Sequence, residues 1–132
     1  MSNNDNKTLV TENISKQLKQ LGFNWKTLYY YDADGKLTYG NFYSDWNKKE
    51  DYSSAPSLDE VSQWLRETKE ADVNVLTDFD SEKRFYYVRY VIKDGHFKTY
   101  HLTENQSFVY FNTYEDALEA GIIKVLTILT ED

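Results

Sequence analysis

Cysteine is absent from the 132 residues. That excludes disulfides, thiol nucleophiles and thiolate zinc sites together, and it fits a reducing compartment. There is one proline and there are five glycines, so long flexible linkers are not expected. Histidine is nearly absent too. His96 and His101 fall five apart on one expected strand, so they point to opposite faces and cannot share a metal or work as a pair. No apolar run approaches the ~20 residues a membrane helix needs. Residues 1–6 are polar and do not read as a signal peptide. The chain carries no glycine-rich phosphate loop, zinc-protease helix motif or nucleophile elbow. It has 22 acidic residues, but their spacing selects no catalytic pair. The expectation is a soluble cytoplasmic protein that is not an enzyme, needs no cofactor or metal, and does not associate with a membrane.

What is present is aromatic. Twelve Tyr, seven Phe and three Trp make up 17% of the chain, whereas disordered chains are poor in such residues. The length fits one domain over 1–132, with 1–10 as a frayed tail; a domain this size buries about two-thirds of its unfolded surface. Formal charge is −7, which argues against a free-standing nucleic-acid binder. It is unevenly spread, however. Residues 83–101 hold five cations and one acid, a net of +4, which leaves −11 on the rest.

A first helix is expected over 12–21, capped by Thr11, with Ile14, Leu18 and Leu21 as its apolar stripe and Gly22 just past its end. A hairpin of strands 24–31 and 36–43 follows, turning at Asp32-Ala33-Asp34-Gly35. Residues 44–55 read as a polar linker. Ser57 and Glu60 have capping-box spacing, opening a helix that ends near 70 and buries Val61, Trp64 and Leu65. Strands are expected at 73–79, 84–92 and 96–103, and a short one at 107–111. Asp94-Gly95 signals a two-residue type I′ turn. On the central strand Phe85, Tyr87, Arg89 and Val91 face one way, and Tyr86, Val88, Tyr90 and Ile92 the other, which is the core face. A last helix opens at Asn112 or Thr113 and carries Leu118, Ile122 and Val125 inward. A strand over 122–128 competes with its second half because of the β-branched residues there.

The order is α-β-β-α-β-β-β-(β)-α, and the fold class is α+β. The expected architecture is an antiparallel twisted sheet with three helices mainly on one face. The helix-plus-hairpin unit is written twice, as an internal repeat would be.

Three stretches carry a resemblance. They are Leu18-Lys19-Gln20-Leu21-Gly22-Phe23, Ser54-Ala55-Pro56-Ser57 running into Trp64-Leu65-Arg66-Glu67, and Phe111-Asn112-Thr113-Tyr114-Glu115-Asp116-Ala117-Leu118-Glu119-Ala120-Gly121. Together they resemble a group of small hypothetical proteins from Bacteroides-type gut bacteria and their phages or mobile elements. The resemblance implies a small α+β domain associated with mobile DNA; it implies no activity and carries over no site residue. Each stretch also has a plain physical reading, the first as a helix ending in glycine and the other two as capped helix starts.

Two acidic loops, Asp32-Ala33-Asp34-Gly35 and Asp78-Phe79-Asp80-Ser81-Glu82, read as turns rather than calcium loops, since neither has the closing acidic ligand. Rings on both faces of the strands, and an apolar surface wider than one face on the last helix, point to a protein-interaction module. It is homodimeric if Ile123 and Ile128 are the contacts. The alternative is a nucleic-acid-binding domain that uses the basic hairpin 83–101, with Lys83, Arg84, Arg89 and Lys98 as contacts.

Overall fold

The computed structural model describes residues 8–131. The fold is α+β, with three helices and antiparallel strands in the expected order. The strands are divided among three small sheets rather than gathered into one. The chain groups into two compact units, one running up to Glu60 and including the stretch from Leu129, the other Val61–Ile128.

In the first unit, α1 spans Glu12–Gln20. Thr11 Oγ1 accepts from the Ile14 N–H at 3.4 Å, satisfying one of the free donors of the first turn. Gly22, at φ +91°, reverses the chain. Phe23 N–H then donates to Leu18 O and Gly22 N–H to Lys19 O, at 3.0 and 3.1 Å, the paired bonds of a Schellman ending. Strands β1 (Thr27–Tyr31) and β2 (Leu37–Ser44) form the expected hairpin.

The segment read as a polar linker is structural. Its 3-10 turn, Trp46–Lys48, buries Trp46, and β3 (Ser53–Ser54) pairs with β1 on the side away from β2. Ser15 Oγ donates to Ser54 O at 2.7 Å and lies 2.7 Å from Ser53 Oγ, so α1 is fastened to β3 by buried hydroxyls. Of the expected tail at 1–10, residues 1–7 lie outside the described residues. The last three are tied down: Leu9 bridges Ser57, Val10 N–H donates to Pro56 O at 3.0 Å, and Val10 is buried.

Helix α2 (Leu58–Thr68) opens on the expected capping box, Ser57 N–H to Glu60 Oε1 at 3.0 Å and Glu60 N–H to Ser57 Oγ at 3.1 Å. In the second unit, β4 (Ala71–Phe79), β5 (Arg84–Asp94) and β6 (His96–His101) make a meander with β5 in the centre. The first sheet has the order β2-β1-β3, with the leading hairpin strand central, so the two units differ in topology. At Asp94-Gly95 the hairpin forms, but Asp94 pairs with His96 and only Gly95 takes positive φ. A type I′ turn needs positive φ at both central residues, and Asp94 does not supply it.

The chain leaves the sheet after β6. Leu102 N–H still donates to Val88 O; then β7 (Thr103–Glu104) and β8 (Ser107–Phe108) make a small hairpin turning at Asn105 and Gln106, both at positive φ. Phe111 returns to bridge Tyr86.

Helix α3 (Tyr114–Thr130) is continuous, and the competing strand over 122–128 does not form. Its cap is Thr113, whose Oγ1 accepts from the Asp116 N–H at 3.1 Å. Gly121 lies inside this helix and packs on Val73 and Val88. Leu18, Val61, Trp64, Leu65, Val88, Tyr90, Leu118, Ile122 and Val125 are buried in the core as expected, and Leu21 is half-buried.

Candidate interaction surface

The register sorts the side chains of the second sheet. Val73 pairs with Tyr90 and Val75 with Val88, and α3 meets this face at Gly121. The opposite, outer face carries Asp72, Asn74, Leu76 and Asp78 from β4, Phe85, Tyr87, Arg89 and Val91 from β5, and Phe97, Thr99 and His101 from β6. The alternation of a strand puts them there.

The rings of this face stack on one another. Tyr87 lies 5.2 Å from Phe108 with planes at 10°, His101 lies 4.9 Å from Phe108, and Tyr87 and His101 are 6.3 Å apart. Tyr110 meets Phe85 and Tyr87 edge-on at 6.0 and 5.9 Å. These are ordinary aromatic separations. Much of the group stays in solvent: Tyr110 is 49% exposed and Phe108 42%, and Phe97 on the same face, outside the stack, is 60% exposed. The sequence placed Phe85 and Tyr87 here but not Phe108 and Tyr110, which join only because β6 peels away at Leu102. The Asn at position 105 was the one local hint of the extra turn.

The four basic residues expected to act together are divided. Arg89 is on the outer face, whereas Arg84 pairs with Phe79 and Lys98 with Ile92 on the α3 face. Lys83 precedes β5 and lies 5.0 Å over the Phe85 ring, while the Arg84 guanidinium lies 5.4 Å from the Phe79 ring. Lys98 is 3.8 Å from Asp94. The hairpin therefore does not gather its cations on one face. His96 and His101 point to opposite faces, as expected. Ile123 is 43% exposed and Ile128 half-buried. Five residues apart, they are separated by about 140° around the helix and form no single patch.

In the first unit, Glu12, Lys16, Lys19, Asp32, Glu50 and Asp51 line an open groove of about 370 Å³. Lys16 pairs with Glu12 at 3.2 Å. The Lys19 ammonium donates to the carbonyls of Lys49, Glu50 and Tyr52 at 2.6–2.9 Å, which leaves it half-buried. In the same unit, Tyr30 stacks on Trp46 and on Tyr52 at 4.3 and 4.6 Å.

Both acidic loops are turns. Asp32 Oδ1 accepts from the N–H of Asp34 and Lys36, and Asp80 Oδ1 from the N–H of Glu82 and Lys83. These bonds, led by Lys36 for Asp32 and by Glu82 for Asp80, hold both carboxyls below the usual range. Burial pushes the phenols of Tyr30, Tyr31 and Tyr90 up, so they stay neutral packing groups. Among the described residues no cluster of three or more His, Asp or Glu is placed to hold a metal ion. Among the described residues no helix is long and apolar enough to cross a membrane. No protein-family model, curated protein or solved structure matches the chain.

Proposed function

We propose that the chain is a non-catalytic protein-interaction module of the cytoplasm that receives its partner on the outer face of the second sheet. The observation that carries this reading is the exposed, mutually stacked ring cluster around Tyr87. Tyr and Phe offer large contact area at small entropic cost, and exposed patches of such rings mark interfaces. The resemblance to small proteins of mobile elements supports a setting of that kind. The partner is another protein or a second copy of the chain. Light scattering at micromolar concentration separates the two, since a monomer has a mass of 15.7 kDa.

The reading is tested by replacing Tyr110 with a photo-crosslinking phenylalanine analogue and irradiating the protein in its host. Specific adducts should form through position 110 and not through the same analogue at Lys124 on α3. Equal crosslinking at both positions would sink the proposal.

Nucleic-acid binding is the second reading, favoured by Arg89 lying beside rings on a sheet face, the mixture that single strands use. Asp72 and Asp78 on the same face, and a chain charge of −7, weigh against it, because a phosphate backbone tracking the face would pass both acids.

A further inference from the structure

The outer face holds one cation that nothing in the fold explains. Arg89 sits at the middle of the central strand, and the register aligns Asn74, Arg89 and His101 in one row across the sheet. Arg89 is half-buried, and its Nε is out of contact with solvent and has no hydrogen-bond acceptor. The ion pairs among the described residues use Lys16, Lys93 and Lys98, and Arg89 joins none. A guanidinium stays charged at every physiological pH and presents five donors in a rigid planar fork. Desolvating one of those donors without an acceptor destabilises the free chain.

Next to this row the rings of Tyr87, His101 and Phe108 lie nearly parallel, with interplanar angles of 10–25°. One flank is an apolar wall; Nε itself is sealed from solvent, so an acceptor arriving from outside meets the terminal nitrogens at the end of the fork. A planar anion that takes two parallel bonds from a guanidinium is a carboxylate. The charge around the row sets the size of the anion. Asp72 and Asp78 stand on the neighbouring strand, and Lys93 is already paired with Glu70 at 3.0 Å. A single negative charge can be neutralised at Arg89, whereas a polyanion would have to lie along the acids of β4.

We propose that Arg89, flanked by the stacked rings of Tyr87, His101 and Phe108, is the seat for a single carboxylate that a protein partner presents from an acidic side chain next to apolar ones. The assignment rests on the interaction-module reading and names the chemistry of its partner.

The probe is phenylacetate, with phenylacetamide as its neutral twin, titrated into the full chain and followed by two-dimensional NMR. Phenylacetate should shift the Arg89 Nε–H and the ring signals of Tyr87 and Phe108 and saturate at millimolar concentration. Phenylacetamide should bind at least tenfold more weakly. Arg89→Gln should lose that preference, Arg89→Lys should keep part of it, and Lys98→Ala, on the other face of the sheet, should change nothing.

Equal binding of the two probes, no binding of either, or an undiminished preference in Arg89→Gln overturns the carboxylate seat. Tighter, salt-sensitive binding of an oligothymidylate that Arg89→Gln abolishes assigns the seat to nucleic acid and likewise overturns it. Photo-crosslinking at position 110 separates this assignment from the module itself. Adducts that survive Arg89→Gln but disappear in Phe108→Ser would leave the interaction face standing and remove the carboxylate from it.

Discussion

The indole of Trp46 lies against Gly40, filling the space that a Cβ on that residue would need. Such a Cβ would also come within 2.9 Å of Leu28 O, a backbone atom that cannot step aside. Gly40 has an ordinary backbone conformation, so the demand is for space and not for φ. Gly40→Ala should therefore destabilise the protein by about 1–3 kcal/mol through overpacking. A urea titration and the fluorescence of the displaced indole report it. A loss under about 0.5 kcal/mol would mean that the indole has room to retreat.

Gly121 sets two effects against each other. Alanine at a helix interior gains about 1 kcal/mol over glycine. Here the added methyl would meet Val73 Cγ1 at 2.6 Å and Val88 Cγ1 at 2.8 Å, both from buried side chains. Overpacking of that kind costs about 1–3 kcal/mol and should outweigh the propensity gain, making Gly121→Ala net destabilising. Val88→Ala opens the space, so the double variant should lose less than the two single losses together. A stabilised Gly121→Ala protein would show that α3 can lift off the sheet without penalty.

Trp64 is 2% exposed on the buried side of α2, as its helical spacing with Val61 and Leu65 predicts. Truncating it to Ala should cost ~3–5 kcal/mol. A chemical denaturation midpoint close to wild type would contradict its role in the core.

The Asp32 carboxylate is held below the usual range, chiefly by the N–H of Lys36. A carboxyl whose pKa is lowered in the folded state contributes stability that is present above its unfolded value of about 4 and is lost as pH falls through the folded value. Asp32→Ala should accordingly be more destabilising at pH 7 than at pH 2, relative to wild type at each pH. Equal losses at both would show that the ionised form makes no special contribution to the turn.

Local rules were legible wherever a residue's task is completed by its sequence neighbours. Thr11 and Gly22 bracket α1, Ser57 and Glu60 cap α2, and Asp32 closes the first hairpin; each bond spans a few residues, so composition and spacing suffice. The α3 stripe was legible for a similar reason. Helical periodicity over 17 residues outweighs the β-branched cluster at its end.

The tertiary structure decided what depends on residues far apart in the chain. Trp46 turned an apparent linker into core because β1 offers it Tyr30 to stack on and Thr27 O to bond, at 2.8 Å. Gly121 became a contact point with two strands, which its place inside a helical pattern does not announce. The candidate surface follows the same logic. Alternation along β5 places Phe85, Tyr87 and Arg89 together from sequence alone, but it cannot say that Phe108 will stack on Tyr87 or that Arg89 will be left without an acceptor. The sequence determines which face a side chain takes, because strand and helix periods are local. Whether that face is covered, crowded or unpaired is set by contacts between distant segments, which local periodicity does not encode.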